Sequence, residues 1–232
     1  STLFTAMEIR KGGFSMNKNN KQSTTTEISE DQIQKVLEKF DVDANVRKVD
    51  NKVIALFFSL LAVTYALFHL YVTFNPLPTL LQRNVHLMFG LALVFLLYPT
   101  FKRQNRTKVP FYDWILFGLS IVSCVYLFSV YDEIVTTRGG IANTTDIIMA
   151  ILTVMLVFEA ARRVTGWVLP ILATIFLIYP FFSHQEWLPR LLMTRPFDLS
   201  DIFGQLYTKT EGLFSTAIGA SVQFVFLFIL FG

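Results

Sequence analysis

The sequence predicts an all-α integral membrane protein with about six transmembrane helices and short amphipathic helices at the interface. Three observations predict it. The 232 residues are 53% hydrophobic and only 16% charged, where a soluble domain carries about a quarter charged. The deficit is uneven: long uncharged windows alternate with short charged clusters, the pattern a bilayer imposes. The basic residues behind the net charge of +3 sit beside those windows, so membrane topology explains them better than nucleic acid does. A single cysteine and three histidines argue against a disulfide scaffold and a clustered metal site.

Residues 1–52 read as a cytoplasmic tail. Within it, 1–15 are either a leader or misassigned start, since Lys11-Gly12-Gly13 back-translates to a purine-rich stretch ahead of Met16, or an ordinary disordered tail. Asn17 to Thr26 is polar and low in complexity, and is expected to be disordered. Ser29 with Gln32 resembles a capping box, and Ile33, Val36, Leu37 and Phe40 recur at helical spacing. This amphipathic helix would lie on the membrane or pack on the protein.

Six apolar windows follow, each near the roughly 20 residues that cross the hydrocarbon core. Val53 to Phe74 is uncharged and is ended by Pro76 and Pro78. Asn84 to Phe101 lies between Arg83 and Lys102. The third window runs from about Phe111 to Val130. The fourth, Thr144 to Arg162, spans only if Asp146 and Glu159 sit in opposite headgroup regions. The fifth, Val164 to Phe182, carries Pro170, which a membrane helix tolerates when neighbours satisfy the freed carbonyl. The sixth runs from Gly212 to Gly232.

Lys and Arg set the expected orientation. With the N-terminus inside, the cytoplasmic flanks hold Arg47, Lys48, Lys52, Lys102, Arg103, Arg106, Lys108, Arg162 and Arg163. The outer loops hold Arg83, Arg138, Arg190, Arg195 and Lys209. The excess predicts that both ends of the chain face the cytoplasm. Between Ser183 and Glu211, two short helices are expected at the outer interface. One is built on Leu199, Ile202, Phe203, Leu206 and Tyr207, with Asp198 as cap and Asp201 in the first turn; the other is built on Trp187, Leu188, Leu191 and Leu192.

Polar groups inside the spans are the first candidates for function. His69, in the outer third of the first span, reads as an interfacial anchor rather than a proton relay, and His86 and His184 read the same way. Gln223 would bond a neighbouring helix or, as the lesser reading, line a solute path. Glu159 with Arg162 and Arg163 reads as an ion-paired helix end, and Cys124 as packing. Gly212, Gly219 and Gly232 suit close helix packing better than solute contact. No nucleophile elbow, metalloprotease motif, phosphate loop or catalytic carboxylate pair occurs. The expectation is therefore a protein that is not an enzyme, with no catalytic, cofactor or metal residues assigned and no substrate-binding residue identified.

Several separated motifs resemble one family. They are Phe158-Glu159-Ala160-Ala161-Arg162-Arg163 followed by Gly166-Trp167-Val168-Leu169-Pro170-Ile171, and Tyr207-Thr208-Lys209-Thr210-Glu211-Gly212-Leu213-Phe214 through Phe224-Val225-Phe226-Leu227-Phe228. Leu80-Leu81-Gln82-Arg83 with His86-Leu87, and Tyr112-Asp113-Trp114, add to them. From about Lys52 to Gly232 the chain resembles the fused permeases of tripartite ATP-independent periplasmic (TRAP) transporters, of the type served by TAXI-class binding proteins. The resemblance implies that residues 53–163 form the small four-helix subunit and that 164–232 begin the large subunit, making the chain an N-terminal fragment. It implies an ion-coupled secondary transporter, usually sodium-driven, in the bacterial inner membrane, taking up organic acids delivered by an extracytoplasmic binding protein. This chain would be mostly scaffold, with the ion and substrate sites beyond Gly232. The alternative is a non-transporting membrane assembly or anchoring subunit.

Overall fold

In the computed structural model of the chain, residues 46, 47, 49–101, 108–185 and 189–231 are described. Their regular structure is entirely helical. The expected amphipathic helix at 29–40 and the basic residues Lys102, Arg103 and Arg106 lie outside the described residues.

Among the described residues, three helices are long and apolar enough to cross a membrane. The first, α1 (Lys52–Phe74), has 23 residues, about 34 Å at 1.5 Å per residue. Val53, Leu56, Leu60, Val63, Leu67, Tyr71 and Phe74 are exposed along it at helical spacing. A stripe of that size is stable only against lipid or another protein surface. The helix stops before Pro76 and Pro78, as expected, and Pro78 stands at the start of α2 (Thr79–Leu97). Proline has no amide to donate, so it ends one helix and opens the next without loss.

α2 begins five residues before the uncharged window does, which places Arg83 inside the helix and not in an outer loop. Its guanidinium donates to the Phe214 carbonyl at 2.6 Å, so the charge is met within the protein and does not end the span. α2 is also the most enclosed of the three, packing against α1, α3 and α4. Phe95 and Leu96 at its end are fully buried.

α3 (Phe111–Asp132) continues through a π-helical turn, Glu133–Thr137, making 27 residues in all. Gly139 and Gly140, both at positive φ, then reverse the chain in a conformation that side chains disfavour. α4 (Thr144–Thr165) is long enough to span, but Asp146, Glu159, Arg162 and Arg163 reduce its apolar character. Asp146, expected in a headgroup region at one end of this window, is fully buried in the protein and accepts from the Asn143 amide at 2.7 Å.

Gly166, at φ +85°, separates α4 from α5 (Val168–Phe182), which has only 15 residues. The helix starts four residues after the expected window. Pro170 therefore falls in its first turn, where a missing amide costs nothing, and Pro180 is the interior proline. Of the two expected interfacial helices, one lies wholly within the described residues. α6 (Leu199–Thr208) opens on the predicted cap, with Asp201 accepting from the Asp198 amide at 3.2 Å. Its stripe of Ile202, Phe203 and Tyr207 is buried against α4 and the core rather than spread on lipid. Of the other, the described residues Arg190–Leu192 form a 3-10 turn, and Trp187 and Leu188 lie outside the described residues.

The last window starts as a turn. Helix resumes at α7 (Thr216–Ala220), widens into a π-helical turn at Ser221–Val225, and ends as α8 (Phe226–Phe231). Gly212 belongs to the turn, and a Cβ there would lie 2.2 Å from the Leu206 Cα. The close approach is therefore made within a turn, against the backbone of Leu206 and Gln205, and not between helices as expected of this glycine. The core that binds these elements holds Leu80, Leu127, Ile134, Ala150, Phe203, Tyr207 and Phe214.

Candidate functional site

The hairpin of α1 and α2 reverses over 75–78, so residues equally far from the turn face each other across it. His69 lies five residues before the end of α1 and His86 seven after the start of α2. At 1.5 Å per residue that is roughly 8 to 10 Å from the helix ends. The rings meet, with His69 Nε2 at 2.8 Å from His86 Nδ1. His69 is 97% buried, with 3% of its surface exposed, which rules out an anchor reaching into the headgroups.

Other groups complete the chain. His69 Nδ1 is 3.0 Å from the Tyr65 carbonyl. The Tyr65 hydroxyl is 2.8 Å from His86 Nδ1, and the Ser221 hydroxyl is 3.2 Å from His86 Nε2. A carbonyl can only accept, so His69 carries a proton on Nδ1 and, when neutral, offers a lone pair at Nε2. His86 must then donate from Nδ1, which leaves its Nε2 to accept from Ser221. One tautomer of each ring satisfies the whole chain. Phe226 closes the cluster, its ring centroid 4.0 Å from that of His69. Ser221 arrives here because it opens the π-helical turn; such turns displace a residue from its ordinary helical position.

Two ionic networks flank this cluster at opposite ends of the bundle. At the end formed by Leu97, Asp113 and Arg163, the fully buried Asp113 pairs with Arg47 and, at 2.8 Å, with Arg163. Glu159 accepts from Arg162 at 2.7 Å and Arg163 at 2.8 Å, so the predicted ion-paired helix end forms. The arginines also donate to carbonyls at and just beyond the end of α2: Arg47 to Leu96, Arg163 to Tyr98 and Arg162 to Thr100. At the other end, Asp146 pairs with Arg138 and accepts from the Tyr126 hydroxyl at 2.6 Å. Tyr207 donates to the Ser123 carbonyl at 2.7 Å, and burial pushes its phenol up to about 12.

A cavity of about 1000 Å³ lies between α4, α5 and α6. Val157, Phe158, Ala173 and Phe176 contribute its apolar wall, while Arg195, Asp201, Gln205, Lys209 and Glu211 are polar residues along it.

Of the remaining residues singled out by sequence, Cys124 is buried and receives a hydrogen bond from Asn84. His184 is exposed beside Gln185. Gln223 is exposed and has no hydrogen-bond partner among the described residues. Gly219 lies over Arg83, where a Cβ would come within 2.5 Å of Nη2; Gly232 is outside the described residues. Sequence reasoning missed Tyr65, Arg83, Asp113 and Ser221. The first three carried a signal, since a polar group inside or at the mouth of an apolar window needs a partner. Ser221 carried none, because a serine can bond its own helix. Comparison with family models, with curated proteins and with solved structures finds no match to this chain.

Proposed function

We propose that the chain is a membrane permease component of a sodium-coupled secondary transporter for organic acids delivered by an extracytoplasmic binding protein. Within it these residues act mainly as scaffold, crossing the inner membrane six times with the N-terminus inside. One observation carries the reading: the separated motifs on which the TRAP resemblance rests meet in pairs. Asp113, of Tyr112-Asp113-Trp114, pairs with Arg163 at the end of the Phe158–Arg163 motif. Arg83, of Leu80-Leu81-Gln82-Arg83, donates to Phe214, which closes the Tyr207–Phe214 motif. Segments distant in sequence thus form two joints, one at each end of the bundle, as parts of one rigid support do. The common end of Arg47, Arg162 and Arg163 also supports the alternation that six spans require.

The test is uptake by the whole gene product, reconstituted with the binding protein encoded beside it. Labelled organic acids should accumulate only when both a sodium gradient and the binding protein are present. A correctly inserted, folded protein that binds its partners but accumulates none of them would favour the anchoring subunit. Accumulation driven equally well without a gradient would reject ion coupling.

A further inference from the structure

We infer that His69 and His86 form a proton-binding site inside the α1–α2 hairpin, holding one proton between two rings. The hydrogen-bond directions already derived make this possible without moving a heavy atom. In the neutral pair Ser221 donates to His86 Nε2, His86 donates from Nδ1 to His69 Nε2, and His69 donates from Nδ1 to the Tyr65 carbonyl. A proton taken from water adds to His86 Nε2, and the Ser221 hydroxyl turns from donor to acceptor. The proton on His86 Nδ1 is then shared with His69 Nε2, so the added charge spreads over both imidazoles. The Tyr65 hydroxyl, 2.8 Å from His86 Nδ1, can only accept a share of the one hydrogen on that nitrogen, since a protonated ring nitrogen has no lone pair to offer. Every ring nitrogen keeps a partner before and after uptake.

The surrounding groups favour storage of one proton and not two. From α1 the facing titratable groups are Tyr65 and His69, and from α2 they are His86 and Arg83, the latter held by the Phe214 carbonyl. α3 contributes Cys124, whose sulfur accepts from Asn84, and the last helical segment contributes Ser221 and the Phe226 ring. No carboxylate pairs with the rings among the described residues, so a second positive charge would lie against the first with no counter-ion. The bound proton reverses the Ser221 hydroxyl at the head of a π-helical turn. Its presence is thereby felt by a segment that packs on the hairpin.

The chain has three histidines, so a His184→Gln protein labelled with ¹⁵N-histidine reports only on the pair. At about pH 8 both rings should show the Nδ1-protonated tautomer. On acidification to about pH 3, the pair should take up one proton, with both ¹⁵N-labelled rings changing together. In His86→Gln, with helix content checked by circular dichroism, that uptake should fall from one proton to none. An Nε2-protonated tautomer for either ring at the higher pH would overturn the site, as would two independent uptakes or none at all. Should His86→Gln fail to fold, the tautomers of the His184→Gln protein still decide the question. The measurement involves no transport, so its outcome is separate from the permease reading.

Discussion

Replacing Asp113 with alanine removes the only carboxylate that Arg47 pairs with among the described residues. Asp113, Arg47 and Arg163 all have side chains without solvent exposure, so no water can replace what is lost. Breaking a buried ion pair by deleting one partner costs about 3–5 kcal/mol, mostly from the charge left behind. Here the lower end applies, because Arg163 keeps Glu159 at 2.8 Å and Arg47 keeps the Leu96 carbonyl at 3.2 Å. About 3 kcal/mol corresponds to roughly 6–12 °C in melting temperature for a chain of this size. Asp113→Asn retains an acceptor and loses only the charge, and should cost about 1.5–3 kcal/mol. Melting of the helical signal in one fixed detergent measures both, with size exclusion confirming an unaggregated start. The double mutant with Arg163→Gln should be less destabilised than the sum of the single variants by about 1–3 kcal/mol. Strict additivity, or an Asp113→Ala protein within about 1 kcal/mol of wild type, would refute the view that this network holds α2, α3 and α4 together.

Three further outcomes are expected. Gly212→Ala should destabilise by about 1–3 kcal/mol or more, because its Cβ would lie 2.2 Å from the Leu206 Cα; a normal melting temperature would show that the turn has room. Glutamate at both 202 and 203 places two charges on the buried face of α6, so folded yield should collapse in expression trials, and wild-type yield would mean the helix is merely solvated. Cysteines replacing Arg106 and Thr136 singly, in a Cys124→Ser background, should label from opposite sides of the membrane; labelling at 106 from outside in intact cells would reverse the orientation.

The spans were legible to the degree that they face lipid. α1 could be read almost to the residue, since most of its side chains are apolar and proline marks its end. α2 could not, because Arg83 resembles a boundary until its partner, 131 residues further on, is known. The same holds for α4, whose Asp146 and Glu159 look like span boundaries in sequence and prove to be paired with arginines of the protein. Hydropathy reports contact with solvent and lipid, whereas charge satisfied by a distant segment is a tertiary fact. The stripe on α6 was correctly placed on one helical face, but an apolar stripe does not say whether it meets lipid or α4.

The histidine pair shows where such legibility could be extended. His69 and His86, considered one at a time, each look like a polar residue near a span end, and anchoring is then the simpler account. Their relation to the turn carries more information. In an antiparallel hairpin, residues at nearly equal distance from the reversal lie at nearly equal depth, and a rise of 1.5 Å per residue leaves only about 3 Å between these two. Equal depth brings them within reach, and facing sides are then settled by helical phase: Tyr65 and His69 are four residues apart and share one face of α1, the face that meets α2 at His86. Inside hydrocarbon such groups are stable only when bonded to one another. Two polar residues at matched depth on consecutive spans are thus each other's most economical partner. Ser221 stays beyond this logic, since its place depends on the π-helical turn that carries it to His86 Nε2.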